Sequence, residues 1–142
     1  MIVLDTNVVS ELMRAAPAAS VVAWVHAQPP PQLCTTSVTL AEVRYGIARL
    51  PQGRRKHLLS SAADEVFAIF ADRVLAFDVA ATAHYAEIVV EREQAGAPIG
   101  GFDAQIAAVC HSRQATLATR NIDDFDGLGL NLLNPWADKA GS

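Results

Sequence analysis

Basic residues, aromatics and cysteine are all scarce in this chain. Its 142 residues include two cysteines and two lysines; 6% are aromatic and 18% are charged. Cys34 and Cys110 lie far apart and belong to no CxxC pair, and Cys110-His111 is too short for a zinc motif. Free, buried thiols in a reducing cytoplasm are expected. No basic segment is followed by an apolar stretch, and no apolar run approaches the roughly 18 residues of a membrane span. A cytoplasmic protein without membrane association is therefore expected. The formal net charge of −4 argues against coating nucleic acid by bulk electrostatics. It leaves room for a nuclease whose own acids hold cations against the phosphate. HExxH, zinc spacings and a Walker loop are all absent.

What is present is apolar: 51% of the chain. Much of that share is alanine, which suits helices better than a β-sandwich. The length fits a single domain with a core of its own, over 1–136, followed by a short C-terminal tail at 137–142. IVL at 2–4 reads as a first strand, and Thr6 or Asn7 can cap the helix that VVSELM begins. Ser20 can cap a helix through VVAWVHA, stopped by Pro29-Pro30-Pro31. LCTTS at 33–37 reads as a second strand. A helix from Thr39 to Leu50 follows, with Leu40, Val43, Ile47 and Leu50 on one face. Further helices are expected at 54–71, 80–95 and 103–113, strands at 74–78 and 116–119, and a fifth strand in NLLNPW. AGAPIGG at 95–101 reads as a flexible joint. Short apolar strands alternating with helices specify an α/β fold: three layers, α/β/α, around a mostly parallel sheet of four to five strands. Ligands of such sheets bind beyond the carboxyl ends of the strands, near a topological switch point.

Several acids fall at that edge. Asp5, directly after the first strand, reads either as a helix N-cap or as a functional acid. Glu42 lies on the flank of its helix with Gly46 and Arg49, either solvated or turned to a site; a mid-helix glycine one turn on fits a close approach beside it. Asp103 follows Gly100 and Gly101 and reads as an N-cap or a positioned carboxylate. TRNIDDFD supplies Asn121, Asp123, Asp124 and Asp126 after a strand, as a polar loop or as part of the same edge. Carboxylates from four segments at one edge repel one another and need cations. All-oxygen sites suit Mg2+ or Mn2+. The constellation points to metal-assisted hydrolysis of a phosphodiester.

LDTNVVSEL, TLAEVRYGIARL, GGFDAQIAAVC, LATRNIDDF and the closing NPW resemble the PIN-domain ribonucleases, and among them the VapC toxins of the FitB-like branch. The likeness runs from Met1 to Trp136. It implies an Mg2+- or Mn2+-dependent endoribonuclease of a toxin–antitoxin system. It also implies a VapB- or FitA-like antitoxin that blocks the site and carries the complex to DNA, and a homodimer. On the family pattern Asp5, Glu42 and Asp103 are the first three acids. Asn121 stands where many PIN nucleases have a fourth aspartate. Asp124 is the alternative fourth acid, its place in the motif being the more structural one.

On this reading Asp5 and Asp103 hold the metal, Glu42 binds it directly or through water, and Asn121 completes the ring. Thr6 and Asn7 hydrogen-bond the carboxylates or their waters. Arg120, and with it Arg44 and Arg113, are candidates for RNA phosphates, as is the run Arg54-Arg55-Lys56. His26, His57, His84 and His111 sit in helices without a partner pattern. Trp24 and Trp136 read as core or interface residues. A haloacid dehalogenase-type phosphatase needs a second aspartate where Asn7 stands. A domain that keeps the fold but only binds a partner or nucleic acid is the remaining alternative.

Overall fold

The computed structural model describes residues 1–137; the tail expected at 137–142 lies, from 138 on, outside the described residues. Strand β1 (Ile2–Leu4) splits its side chains between two cores: Val3 joins one and Leu4 the other, both 0% exposed. Full burial of such a side chain stabilises by about 1.5–3 kcal/mol. β2 (Leu33–Thr36), β3 (Val74–Leu75), β4 (Thr116–Ala118) and β5 (Leu132–Leu133) complete the sheet. Every pairing is parallel, and the order is β3-β2-β1-β4-β5. The third strand is shorter than expected, two residues in place of five.

Among the described residues six α-helices cover the sheet. α1 (Thr6–Leu12), α2 (Ala19–Ala27) and α4 (Arg54–Phe70) pack over the Leu4 face, with Val9, Val21, Trp24, Phe67 and Phe70. α5 (Val79–Gln94) and α6 (Gly101–Arg113) cover the Val3 face, with Ile88, Ile106 and Val109. α3 (Ser37–Ala48) contributes to both, through Val43 on one side and Val38 on the other. Cys34 and Cys110 are free and buried, as expected.

Helix starts differ from the expected caps by one to three residues, each for a local reason. Of the three residues read as possible caps of α1, Asp5 takes the role rather than Thr6 or Asn7, its carboxylate accepting the Thr6 N–H at 2.8 Å. Ser20 caps nothing. α2 begins at Ala19, and the Ala18 N–H before it donates to the buried Glu11 carboxylate at 2.8 Å, which ties α1 to α2. α3 starts at Ser37 because Thr36 supplies the cap, accepting the Thr39 N–H at 3.0 Å. α6 starts at Gly101, so Asp103 lies in its first turn rather than at its cap. The basic start of α4, adverse to the helix dipole, is offset by Lys56, whose ammonium donates to the Ala48 carbonyl at the end of α3 (3.1 Å).

From β1 the chain builds β2 and β3 to one side, and β4 and β5 to the other. The switch point therefore lies between the carboxyl ends of β1 and β4. Asp5 follows the first of these strands and Thr119 the second.

Candidate active site

Asp5 leaves β1 with an exposure of only 4%, and it is held from three directions. The Thr6 N–H donates to Oδ1 at 2.8 Å, the Thr119 hydroxyl to Oδ2 at 2.8 Å, and the Asn7 amide to Oδ2 at 3.3 Å. Thr119 is the hub of this lattice, since its oxygen also accepts from Asn7 Nδ2 (3.3 Å) and from the Asn121 N–H (3.0 Å). Burial pushes the Asp5 carboxyl up, against the Thr119 and Thr6 hydrogen bonds, and the charges of Glu42 and Asp124 push the same way.

Glu42 arrives from α3. The Thr6 hydroxyl donates to its Oε1 at 2.7 Å, a charge-assisted distance, and the Thr39 hydroxyl oxygen lies 3.2 Å from the Thr6 hydroxyl. Burial raises the Glu42 carboxyl, and Asp103 adds to the rise. Asp103, from α6, is pushed up to about 6, first by burial and then by Asp5 and Asp124, with Arg92 opposing. Four carboxylates on separate elements thus feel one another: Asp5, Glu42, Asp103 and Asp124. Such a group disfavours its own full ionisation until a cation joins it.

The donor set is all oxygen, which suits a hard cation. Among the described residues no three His, Cys, Asp or Glu side chains close into a ready-made cage.

A PIN-domain family model matches residues 2–129. The VapC ribonuclease Y4jK of Sinorhizobium fredii is 40% identical over 96% of this chain and 98% of its own. The chain belongs to the PIN-domain family, among its VapC and FitB members. Toxin FitB of Neisseria gonorrhoeae is 36% identical over 97% of this chain and 100% of its own. A chain in the structure of FitAB bound to a DNA fragment superposes with a TM-score of 0.90 at 34% identity, covering 100% of both chains.

Within the PIN fold the expected site residues divide into two groups. Asp5, Thr6, Asn7, Glu42 and Asp103 come together, and Asp124 joins them through its charge. Asn121 precedes a short 3-10 turn (Ile122–Phe125) with its side chain capping nothing; it lines a neighbouring cavity with Asp124. Arg120 flanks the same cavity, its backbone N–H bonded to Asn7 Oδ1 at 3.1 Å. Arg44 instead pairs with Asp64 of α4 at 3.4 Å. Arg113 closes α6 at the end opposite Asp103, toward the amino edge of the sheet.

Some participants escaped the sequence reading. Thr119 looked like the last residue of a strand. Arg92, on α5, donates to the Ala97 carbonyl (2.8 Å) and the Asp124 carbonyl (2.9 Å), pinning the 95–101 joint beside the acids while placing a positive charge near Asp103. Contrary to the expectation of no partner pattern, His84 and His111 stack at 5.6 Å and 8°, and His111 Nε2 bonds the Leu128 carbonyl. Trp24 is a core residue as expected. Trp136 is only half-buried and lies under Arg120.

Proposed function

We propose that this chain is an Mg2+- or Mn2+-dependent endoribonuclease acting in the cytoplasm as the toxin of a toxin–antitoxin pair. The observation that carries the reading is the convergence of Asp5, Glu42 and Asp103, with the charge of Asp124 beside them, at the switch point of a parallel sheet. Relatives named as a ribonuclease and as a toxin, and a neighbour within a FitAB complex on DNA, support the same assignment. The partner is then a VapB- or FitA-like antitoxin through which the complex reaches DNA. Residues 1–136 act as one PIN unit, working as a homodimer.

Asp5, Asp103 and Glu42 are the residues that would hold the cation. Bound there, the cation supplies charge neutralisation at the scissile phosphate and lowers the pKa of water toward 7. The chain's own residues fix the geometry. Thr119, Asn7 and the Thr6 N–H hold both Asp5 oxygens, so that carboxylate enters the reaction already oriented. Thr6 orients Glu42 through the hydroxyl bond. Asn121 stands as a neutral group beside the acids, and Arg120 binds the RNA.

The test is cleavage of pooled cellular RNA by the purified chain with Mn2+, with EDTA, and with Asp5→Asn. Cutting that requires the metal and vanishes in the variant supports the reading. A folded, metal-binding protein that leaves every RNA intact would overturn it in favour of a pure binding module.

A further inference from the structure

Beside the acids lies a second polar feature. A cavity of about 390 Å³ is lined by Arg120, Asn121, Ile122, Asp123, Asp124 and Asn134. Concave sites for small ligands begin at roughly 300 Å³. One wall is built in advance: the Arg120 guanidinium carbon lies 4.9 Å from the centre of the Trp136 ring, a cation–π contact. The Trp136 backbone N–H donates to Asn134 Oδ1 at 2.9 Å, which fixes the Asn134 amide next to the residue whose ring carries Arg120. That bond occupies the Asn134 oxygen and leaves its NH2 to point elsewhere. Among the described residues the Asn121 amide makes no side-chain hydrogen bond. Asp124 lines this cavity, and its charge raises the carboxyls of Asp5 and Asp103, so the cavity lies near the acid group.

We infer that this cavity is a nucleotide subsite for the single-stranded RNA residue next to the scissile phosphate. The inference rests on the nuclease reading. The base stacks on the outer face of the Arg120 guanidinium, backed by Trp136, and its edge meets the amides of Asn121 and Asn134 and the Asp123 carboxylate. Unpaired bases are recognised in this way, by stacking on aromatic or guanidinium planes and by hydrogen bonds to their edges. Asp123 and Asp124 disfavour a phosphate inside the cavity, which is why a base is assigned there and the phosphate to the acid edge. The stack on Trp136 also fixes a long side chain that otherwise loses rotamer freedom on binding. Arg120, Trp136 and Asn134 are therefore substrate-binding groups, and Trp136 is more than the core or interface residue its sequence context suggests.

The test uses a random pool of single-stranded RNA octamers with Mn2+. Cleaved ends are sequenced for the parent chain, Arg120→Ala, Arg120→Lys and Asn134→Ala. Binding to the Asp5→Asn chain is followed by tryptophan emission, with Trp136→Phe isolating the signal of Trp136 from that of Trp24. The expected result is saturable quenching of Trp136. Both Arg120 variants should raise KM on the order of tenfold, consistent with loss of one stacked base, while kcat stays within about twofold. Asn134→Ala should change the base preference at one position beside the cut. Cleavage by the parent chain with KM and base preference unmoved in all three variants would overturn the subsite alone. No cleavage by the parent chain would overturn the nuclease reading and the subsite with it.

Discussion

At the scale of single residues the site depends on hydroxyls as much as on acids. Thr119→Val keeps the shape of the side chain and removes the proton that Asp5 Oδ2 receives. Partners that orient ligand groups typically contribute 10–100-fold to affinity or activity. The variant should therefore lose roughly 10–100-fold in RNA cleavage rate while melting within a few degrees of the parent. An unchanged rate would show that Asp5 needs no such support. Asp103 sets a pH dependence with a definite sign. Its carboxyl is raised from an ordinary 3.8 to about 6, so the folded state binds the proton more tightly than the unfolded chain. Stability from this group is then full below 3.8 and is lost as pH rises through about 6. In thermal melts of the metal-free protein, Asp103→Asn should gain on the parent as pH is raised from 4 to 7.5, and Mn2+ at pH 7.5 should stabilise the parent more than the variant. A gap between the two that does not vary with pH would contradict this assignment. Asp5 was legible because it follows a strand and Asp103 because it opens a helix, whereas Glu42 sits in mid-helix and stood out beside Gly46 and through the family resemblance. Thr119, Arg92 and Trp136 were not legible, because their roles come from contacts across long stretches of chain, 114 residues between Thr119 and Asp5.

At the scale of elements the helix starts lie one to three residues before the expected ones, within the usual looseness of helix ends; Asp5 and Thr36 set theirs by local caps, and the start of α2 is tied to the preceding helix. Glu11 illustrates this. In sequence it is one acid in a short helix; in the fold it is buried and receives the Ala18 N–H and the Arg14 guanidinium. The Ala18 N–H holds its carboxyl below the ordinary carboxylate value, with Arg14 adding to the effect. Hydrogen bonds to charged groups contribute about 1.5–3 kcal/mol, so Glu11→Ala should cost about that much in urea unfolding. The loss should shrink as the solution is acidified and Glu11 protonates. Gly46 offers the opposite case. A methyl there would meet nothing within 4 Å, so the chain's own packing does not require a glycine. Replacing it by alanine in mid-helix should stabilise by about 0.5–1 kcal/mol. If the open space beside Glu42 receives RNA or the antitoxin, the same variant should bind one of them more weakly, which a pull-down and a cleavage assay would separate.

At the scale of the whole molecule, alternation of short apolar strands with helices was enough to give the layers. The five parallel strands follow from it, since each strand feeds both cores. The order β3-β2-β1-β4-β5 was not readable from the pattern; it comes from which helices share a face. That order decides function, because it puts the ends of β1 and β4 side by side and brings residues from both ends of the chain to one edge. The central claim is the proposal that Asp5, Glu42 and Asp103, raised by burial and by neighbouring negative charge, hold a divalent cation. The most direct measurement is a Mn2+ titration followed by electron paramagnetic resonance, on the parent chain and on Asp103→Asn at pH 7.5. The expected result is saturable loss of the free-ion signal with the parent chain and a much weaker loss with the variant. Equal uptake by the two chains, or none by either, would contradict the assignment of this edge as a metal site.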